Sequence, residues 1–438
     1  MSSFSIDFEW LARNHGDAVA RATLAEIVIT VNGQTATETE DLPAKTVRRG
    51  ARVSAHALAC WFASNWWRLR WEPERHSFSW KMSHKMGAAG QGYLWPDLAF
   101  ISDGAAVLVH VQPSAPNSRE PLRYLGNFAN SISAWDFEQG IDAFMDAVLE
   151  RLSSAGAGQD ELFAAWQEIA RERRDPALAS MRKLEALLGH DPGEAPGPFL
   201  RDLDEAARSY GAGAVEEMAA ASQENALAHI HALWVNARPV ATRLEVPGYE
   251  ALRNRMRDDI PPVLFPWQKA ARAARMAREA WSLGPGPVTT EALCQLFGLT
   301  RKSMEAPACT TSLMNAGFRD NGKGTLDVFL ESRYMTSRRF ALLRLAGDHL
   351  AAPPEDRLLP AAPGGVHTQR QKFQRAFAQE VLCPYAELKD FMGQATDSMD
   401  ETMEDAARYF GVSPLMVRTI LLNKGDLDRE SFTPCFWG

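Results

Sequence analysis

The chain has no long apolar run, no paired cysteines and no excess of positive charge, and each absence narrows what it can be. No stretch approaches the roughly 18 consecutive apolar residues of a membrane-crossing helix. Charged residues enter the opening segment MSSFSIDFEWLARNHGD too early for a secretory leader. The expectation is a cytoplasmic protein without a membrane partner. Five cysteines, Cys60, Cys294, Cys309, Cys383 and Cys435, are scattered with no C-x-x-C spacing. That pattern fits reduced thiols and excludes a zinc knuckle or a disulfide framework. A net charge of −8 gives no global basic field for nucleic acid, which leaves only a local patch for such a partner. Phosphate-binding loops, G-x-S-x-G elbows, dinucleotide G-x-G-x-x-G motifs and fixed-period repeats are also missing.

What is present is an ordinary folded composition over 438 residues, with 46% hydrophobic and 23% charged residues, enough for two or three domains. Residues 1–153 mix strands and helices. AEIVITVNG (25–33) reads as a strand entering a turn, and VSAHALACWFASNWWRLRW (53–71) as an apolar helix. PDLAFISDGAAVLVHVQP (96–113) reads as a hairpin turning at Ser102-Asp103-Gly104, and residues 134–152 as an amphipathic helix. Residues 154–265 form a helical middle region, in which 214–237 reads as one long helix. Residues 266–438 combine helices with a strand at TLDVFLES (325–332) and close on a helix–turn–helix pattern at 404–425. The fold class expected is α+β and multidomain.

Four constellations invite chemistry. In the hairpin, Pro96-Asp97 is followed across the turn by His110 and Gln112, which alternation places on one face. This layout resembles the PD-(D/E)xK nucleases, where two acids and a lysine gather around Mg²⁺. His110 and Gln112 depart from it, since neither supplies the second anionic ligand, and the lysine is missing. Trp61, Trp66, Trp67, Trp71, Trp80 and Trp95 crowd one segment with Arg68, Arg70, Lys81, His84 and Lys85. Aromatics interleaved with bases suit stacking on single-stranded nucleic acid or a protein partner; a Trp-rich core with snorkelling cations is the plainer alternative. FGVSPLMVRTIL (410–421) has the turn spacing of a DNA-reading helix pair, but Arg408, Arg418 and Lys424 are thin for phosphate neutralisation.

The fourth constellation is RRFALLRLAGDHL (338–350). From about residue 266 to 425 the chain presents, in order, Pro287, Val288, Leu293, Gly298 and Leu299; Arg338, Phe340, Leu342, Gly347 and Leu350; Phe377, Ala378, Glu380, Val381, Leu382 and Pro384; and Ala407, Phe410, Val412 and Ser413. This succession resembles the ImmA/IrrE family of zinc-dependent peptidases, which cleave transcriptional repressors in mobile-element and DNA-damage control. The resemblance implies a mostly helical, zincin-like C-terminal domain. It also implies zinc ligands and a catalytic glutamate at positions that here hold Arg344, Leu345 and Asp348. The family's acidic third ligand falls in the neighbourhood of Lys372, Phe373, Gln374 and Arg375.

Elementary chemistry sets the consequence. A catalytic zinc needs three N or O donors and a water; a guanidinium has no lone pair to give and repels a dication. Leu345 cannot accept a proton from a metal-bound water. Losing donors forfeits a share of a site worth on the order of 10 kcal/mol. Arg344 and Asp348, four apart, are expected instead to form an ion pair along the helix. A rearranged zinc site at Asp348, His349 and His367 stays open as an alternative, although adjacent helical residues diverge by about 100° and chelate poorly. The expectation is thus a non-catalytic regulatory or interaction protein on a degenerate peptidase scaffold. Its partner would be a repressor or a defence-system component, and no cofactor is expected. The alternatives are a rearranged metallopeptidase and a nuclease-like or nucleic-acid-binding protein.

Overall fold

The computed structural model describes residues 3–12, 18–115, 120–156, 161–305, 313–320, 324–394 and 398–427; Cys309 and Cys435 lie outside these. The chain divides into two compact units. One comprises Met1–Arg201 with His367–Gln369, the other Asp202–Val366 with Arg370–Gly438. The helical middle expected at 154–265 is therefore shared between two cores. Leu162, Trp166 and Ile169 complete the hydrophobic core of the first unit, whereas Leu244, Val246, Leu252 and Met256 join that of the second. Among the described residues no helix is long and apolar enough to cross a membrane.

In the first unit, strand β1 (Phe4–Trp10) pairs antiparallel with β2 (Leu24–Val31), which also pairs with β3 (Ala51–Ser54). The alternating burial of β2 follows its period-two pattern, with Ala25, Ile27, Ile29 and Val31 inside. Helix α1 (Ala55–Trp71) starts where the Ser54 side chain accepts a hydrogen bond from the Ala57 N–H. The expected hairpin forms as β4 (Asp97–Ser102) and β5 (Ala106–Gln112), and β6 (Phe128–Ser133) adds to it. Helix α2 (Ala134–Ser154), capped by Ser133, packs against β1, α1 and β6. Helices α3 (Glu161–Arg174) and α4 (Pro176–Leu188) pack on α1.

In the second unit the expected long helix at 214–237 is broken. α5 (Ala212–Ser222) ends at Gln223, whose φ of 48° takes the chain out of the helix. A 3-10 turn and a shorter helix, α6 (Ala226–Ala232), follow. The break falls in the polar run Ser222–Asn225, which a period count over the flanking alanines passes across. Four antiparallel strands form one sheet in the spatial order β7 (Thr242–Glu245), β9 (Thr325–Phe329), β8 (Asn315–Phe318), β10 (Leu358–Ala361). Helix α7 (Tyr249–Asp259), α8 (Pro266–Ala280) and the sheet surround α9 (Met335–Ala351), the helix that carries RRFALLRLAGDHL. Helix α10 (Gln369–Leu382) follows, then α11 (Tyr385–Gln394), α12 (Met399–Phe410) and α13 (Pro414–Lys424).

Gly347 marks where α9 and α10 approach. A Cβ built there lies 2.4 Å from Phe377 Cδ1, a contact that cannot persist without movement of a fully buried ring. Gly347→Ala is expected to destabilise the second unit by about 1–3 kcal/mol through overpacking. Gly393→Ala, at a site with nothing within 4 Å, is expected to be neutral or slightly stabilising. Urea unfolding of the two variants checks this; equal midpoints would show that the close approach is not a constraint.

Candidate functional site

Helix α9 has no solvent face along its central turns. Every residue from Ala341 to Leu350 is buried, including Arg344, Asp348 and His349. A helix buried all round is ordinarily apolar; this one gives most of its polar atoms partners, while the Nε atoms of Arg338, Arg339 and Arg344 and Nε2 of His349 have no hydrogen-bond partner among the described residues. Arg338 donates to the carbonyls of Leu330 and Ser332 at 2.8 and 2.9 Å, and Arg339 to those of Gly411 and Val288.

Arg344 sits where α9 and α10 converge, 6% exposed. One of its terminal nitrogens donates to Gln371 Oε1 at 2.5 Å, Gln374 Oε1 at 3.1 Å and the Ala362 carbonyl at 2.9 Å. The two glutamine amides are held in turn. Gln371 Nε2 donates to Glu217 on α5 at 2.7 Å and to the Pro360 carbonyl, which Gln374 Nε2 also reaches at 3.0 Å. Burial, reinforced by Arg375, pushes Arg344 down to about 9. That value still leaves it cationic at neutral pH.

The expected Arg344–Asp348 pair along the helix does not form. Asp348 is taken bidentately by Arg370, from Nε at 2.9 Å to Oδ1 and from Nη2 at 2.9 Å to Oδ2. A planar two-pronged guanidinium on a carboxylate outcompetes a single i,i+4 contact. The remaining prong of Arg370 reaches Asp356 Oδ2 at 2.7 Å, and Asp356 Oδ1 accepts from the Gly213 N–H at 3.2 Å. Burial alone would lower Arg370, but Asp348 and then Asp356 hold it above its ordinary value. Burial raises Asp356, against the pull of Arg370.

His349, one residue on, faces elsewhere. Its Nδ1 accepts from Arg319 Nε at 2.9 Å, and its ring stacks on Tyr249 with centroids 4.4 Å apart. The donor to Nδ1 places the proton on Nε2, which among the described residues has no hydrogen-bond partner. Burial, then Arg319 and Arg253, depress this histidine to about 3. Arg253 and Arg319 also close the end of α9. Arg253 donates to the carbonyls of Leu350 and Ala352 at 3.1 and 2.8 Å, and Arg319 to that of His349 at 2.5 Å.

The geometry therefore brings positions 344 and 348 of α9 and positions 371 and 374 of α10 to one place, and fills that place with guanidinium, amide and carboxylate. Among the described residues no group of three or more His, Cys, Asp or Glu stands ready for a metal ion. Of the alternative trio, Asp348 and His349 have different partners, and His367 belongs to the segment grouped with the first unit. Leu345 is fully buried in the apolar core. Gln371 and Arg370 are the site residues that the sequence reading missed. The signal for them was the i, i+1, i+4 spacing of Arg370, Gln371 and Gln374 on an otherwise apolar-faced helix.

The first unit's candidates separate differently. Trp66, Trp67 and Arg68 are buried, which corrects the expectation of a stacking surface. Trp66 packs against Phe137 and Trp166, Trp67 Nε1 donates to Glu172 at 2.8 Å, and Arg68 pairs with Glu72 at 2.7 Å. Arg70, partly buried over the Trp71 ring, donates to Glu138 at 2.5 Å. Lys81 lies at the surface. These aromatics are core because they fill the space between α1, α2 and α3. In the hairpin, Asp97 lies opposite Gln112, and His110 opposite Ala99. Lys85 Nζ meets Asp97 at 3.0 Å, so a lysine does reach the acid, but from the preceding segment.

No family model, no curated protein and no solved structure matches the chain. The resemblance to ImmA/IrrE peptidases accordingly rests on the residues quoted above.

Two outcomes follow from the cluster. Asp348→Ala strands Arg370 beside half its partners and is expected to cost about 3–5 kcal/mol in urea unfolding, with Arg370→Met similar and the double variant well short of their sum. Additive losses would show that the pair is not coupled. His349 binds a proton in the unfolded chain near pH 6.5 but folded only near 3. Its contribution to stability is therefore complete above pH 6.5 and falls by about 1.4 kcal/mol per pH unit as pH drops from there toward 3. His349→Asn is expected to flatten the stability–pH curve in that window. An unchanged slope would place the histidine's titration elsewhere.

Proposed function

We propose that the chain is a non-catalytic regulatory or interaction protein built on an inactive ImmA/IrrE-like peptidase scaffold, acting in the cytoplasm in mobile-element, stress or phage-defence control. One observation carries the reading: the Arg344 guanidinium stands at the convergence of α9 and α10, ringed by Gln371, Gln374 and the Ala362 carbonyl. In the family that the sequence resembles, this neighbourhood holds a metal dication. Here a side-chain cation with no lone pair has the position, and the neutral amide of Gln374 falls in the neighbourhood of the family's acid. Leu345, at the position of the catalytic glutamate, offers no acceptor for the proton of an attacking water. A scaffold so altered keeps its binding surfaces and loses its hydrolytic step. Its partner is a protein, a repressor or a defence component, held outside the cluster, since Arg344 presents almost no surface of its own.

The test is metal analysis of the purified full chain after incubation with zinc and removal of excess, beside a cleavage assay on candidate repressors. The expected result is zinc far below one equivalent and no cleavage, while a co-purified partner crosslinks to the second unit. Stoichiometric zinc that disappears in Asp348→Ala or His349→Ala, together with peptide cleavage, would establish the rearranged metallopeptidase instead.

A further inference from the structure

A cleft in the first unit, independent of the peptidase-like cluster, carries a different chemistry. His56 and Cys60 lie one turn apart on the same side of α1, with Cys60 Sγ 3.5 Å from His56 Nε2 and 3.8 Å from Nδ1. Cys60 is half-buried and lines a cleft of about 550 Å³, within the size range of small-molecule sites. Trp61, Phe78 and Met82 give this cleft apolar walls, and Phe78 and Met82 stand exposed at its rim. Arg68 and Asn65 add polar groups. The Arg68 contact with Asp191 is a long 3.3 Å, and Asp191 is itself nearly half-exposed, so a carboxylate entering the cleft can take its place.

The other described cysteines have neither feature. Cys294 and Cys383 are buried, and burial pushes the Cys383 thiol up to about 12 and raises that of Cys294 as well. A thiol reacts as its thiolate, so both are inert where they stand, whereas a thiol beside an imidazole has a proton acceptor at hand.

We propose that Cys60 is a thiol-modification site that exchanges with low-molecular-weight disulfides bearing a carboxylate, with His56 as its proton acceptor. The imidazole takes the Cys60 proton, and the thiolate attacks one sulfur of the incoming disulfide. A bond forms between Cys60 and that sulfur while the original S–S bond breaks. The departing thiolate recovers the proton from the imidazolium. One disulfide is consumed and one is made, and the small disulfide is the only oxidant needed. A free thiol of the same class reverses the step. The adduct is seated between Trp61, Phe78 and Met82, its acid group toward Arg68.

The test exposes the reduced full chain to brief pulses of 5,5′-dithiobis(2-nitrobenzoate) and of glutathione disulfide, and reads each cysteine by peptide mass spectrometry. Cys60 is expected to label at least about tenfold faster than Cys294 and Cys383. Cys60→Ser is expected to abolish the fast release of thionitrobenzoate. His56→Asn is expected to slow Cys60 labelling and move its pH dependence toward that of an ordinary thiol, a change that lost packing alone would not make. Cystamine, a cationic disulfide, is expected to react more slowly than glutathione disulfide. Labelling of Cys60 no faster than that of the buried thiols, or a rate and pH profile unaltered by His56→Asn, overturns the proposal. Because the pulse experiment reads the unaltered chain, it decides the matter even where a variant fails to fold.

Discussion

Two cations at the centre of the second unit are largely withdrawn from water, and they are held in opposite ways. Arg370 is neutralised by charge, through Asp348 and Asp356. Arg344 is accommodated by dipoles, through two glutamine amides and a backbone carbonyl. An unpaired charge moved out of water costs several kcal/mol even after the protein relaxes around it. The placement of α10 on α9, of α5 on α10 through Glu217, and of the loop around Asp356 is thereby constrained at once. Gly347 permits the arrangement, because any larger residue would hold α10 away by way of Phe377 and draw the amides back from the guanidinium.

This distribution also bears on what the centre can do chemically. Asp348 has both oxygens committed to Arg370, and the proton-accepting nitrogen of His349 is committed to Arg319. Groups that would serve as bases or ligands are therefore saturated by donors. In the first unit Cys60 Sγ meets His56 Nε2 at 3.5 Å, and Cys60 lines a cleft.

Much of the local structure could be read from residue order, because side-chain period and caps are local properties. The strand Leu24–Val31, the hairpin Asp97–Gln112 and the helices Ala55–Trp71 and Ala134–Ser154 stand within a few residues of where their patterns put them. Their partners could not be read. An Arg and an Asp four apart suggest a pair, yet a guanidinium 22 residues away, invisible to any local rule, offers two prongs and wins. The tryptophans of α1 leave a surface open beside the plainer reading as core, and contacts with Phe137 and Trp166, far along the chain, decide for the core. The break at Gln223 was hidden for a related reason: alanine-rich flanks carry a helical period across a polar interruption.

Arg253, from α7, and Arg319, just beyond β8, grip the closing carbonyls of α9 from two separate parts of the chain. An α-helix advances by about 1.5 Å per residue. A slip of one residue along its axis would thus leave both cations facing the wrong oxygens at the same moment. The helix behaves as a keyed shaft, fixed in rotation and in travel, and any rearrangement of the second unit must be borne by the pieces mounted around it.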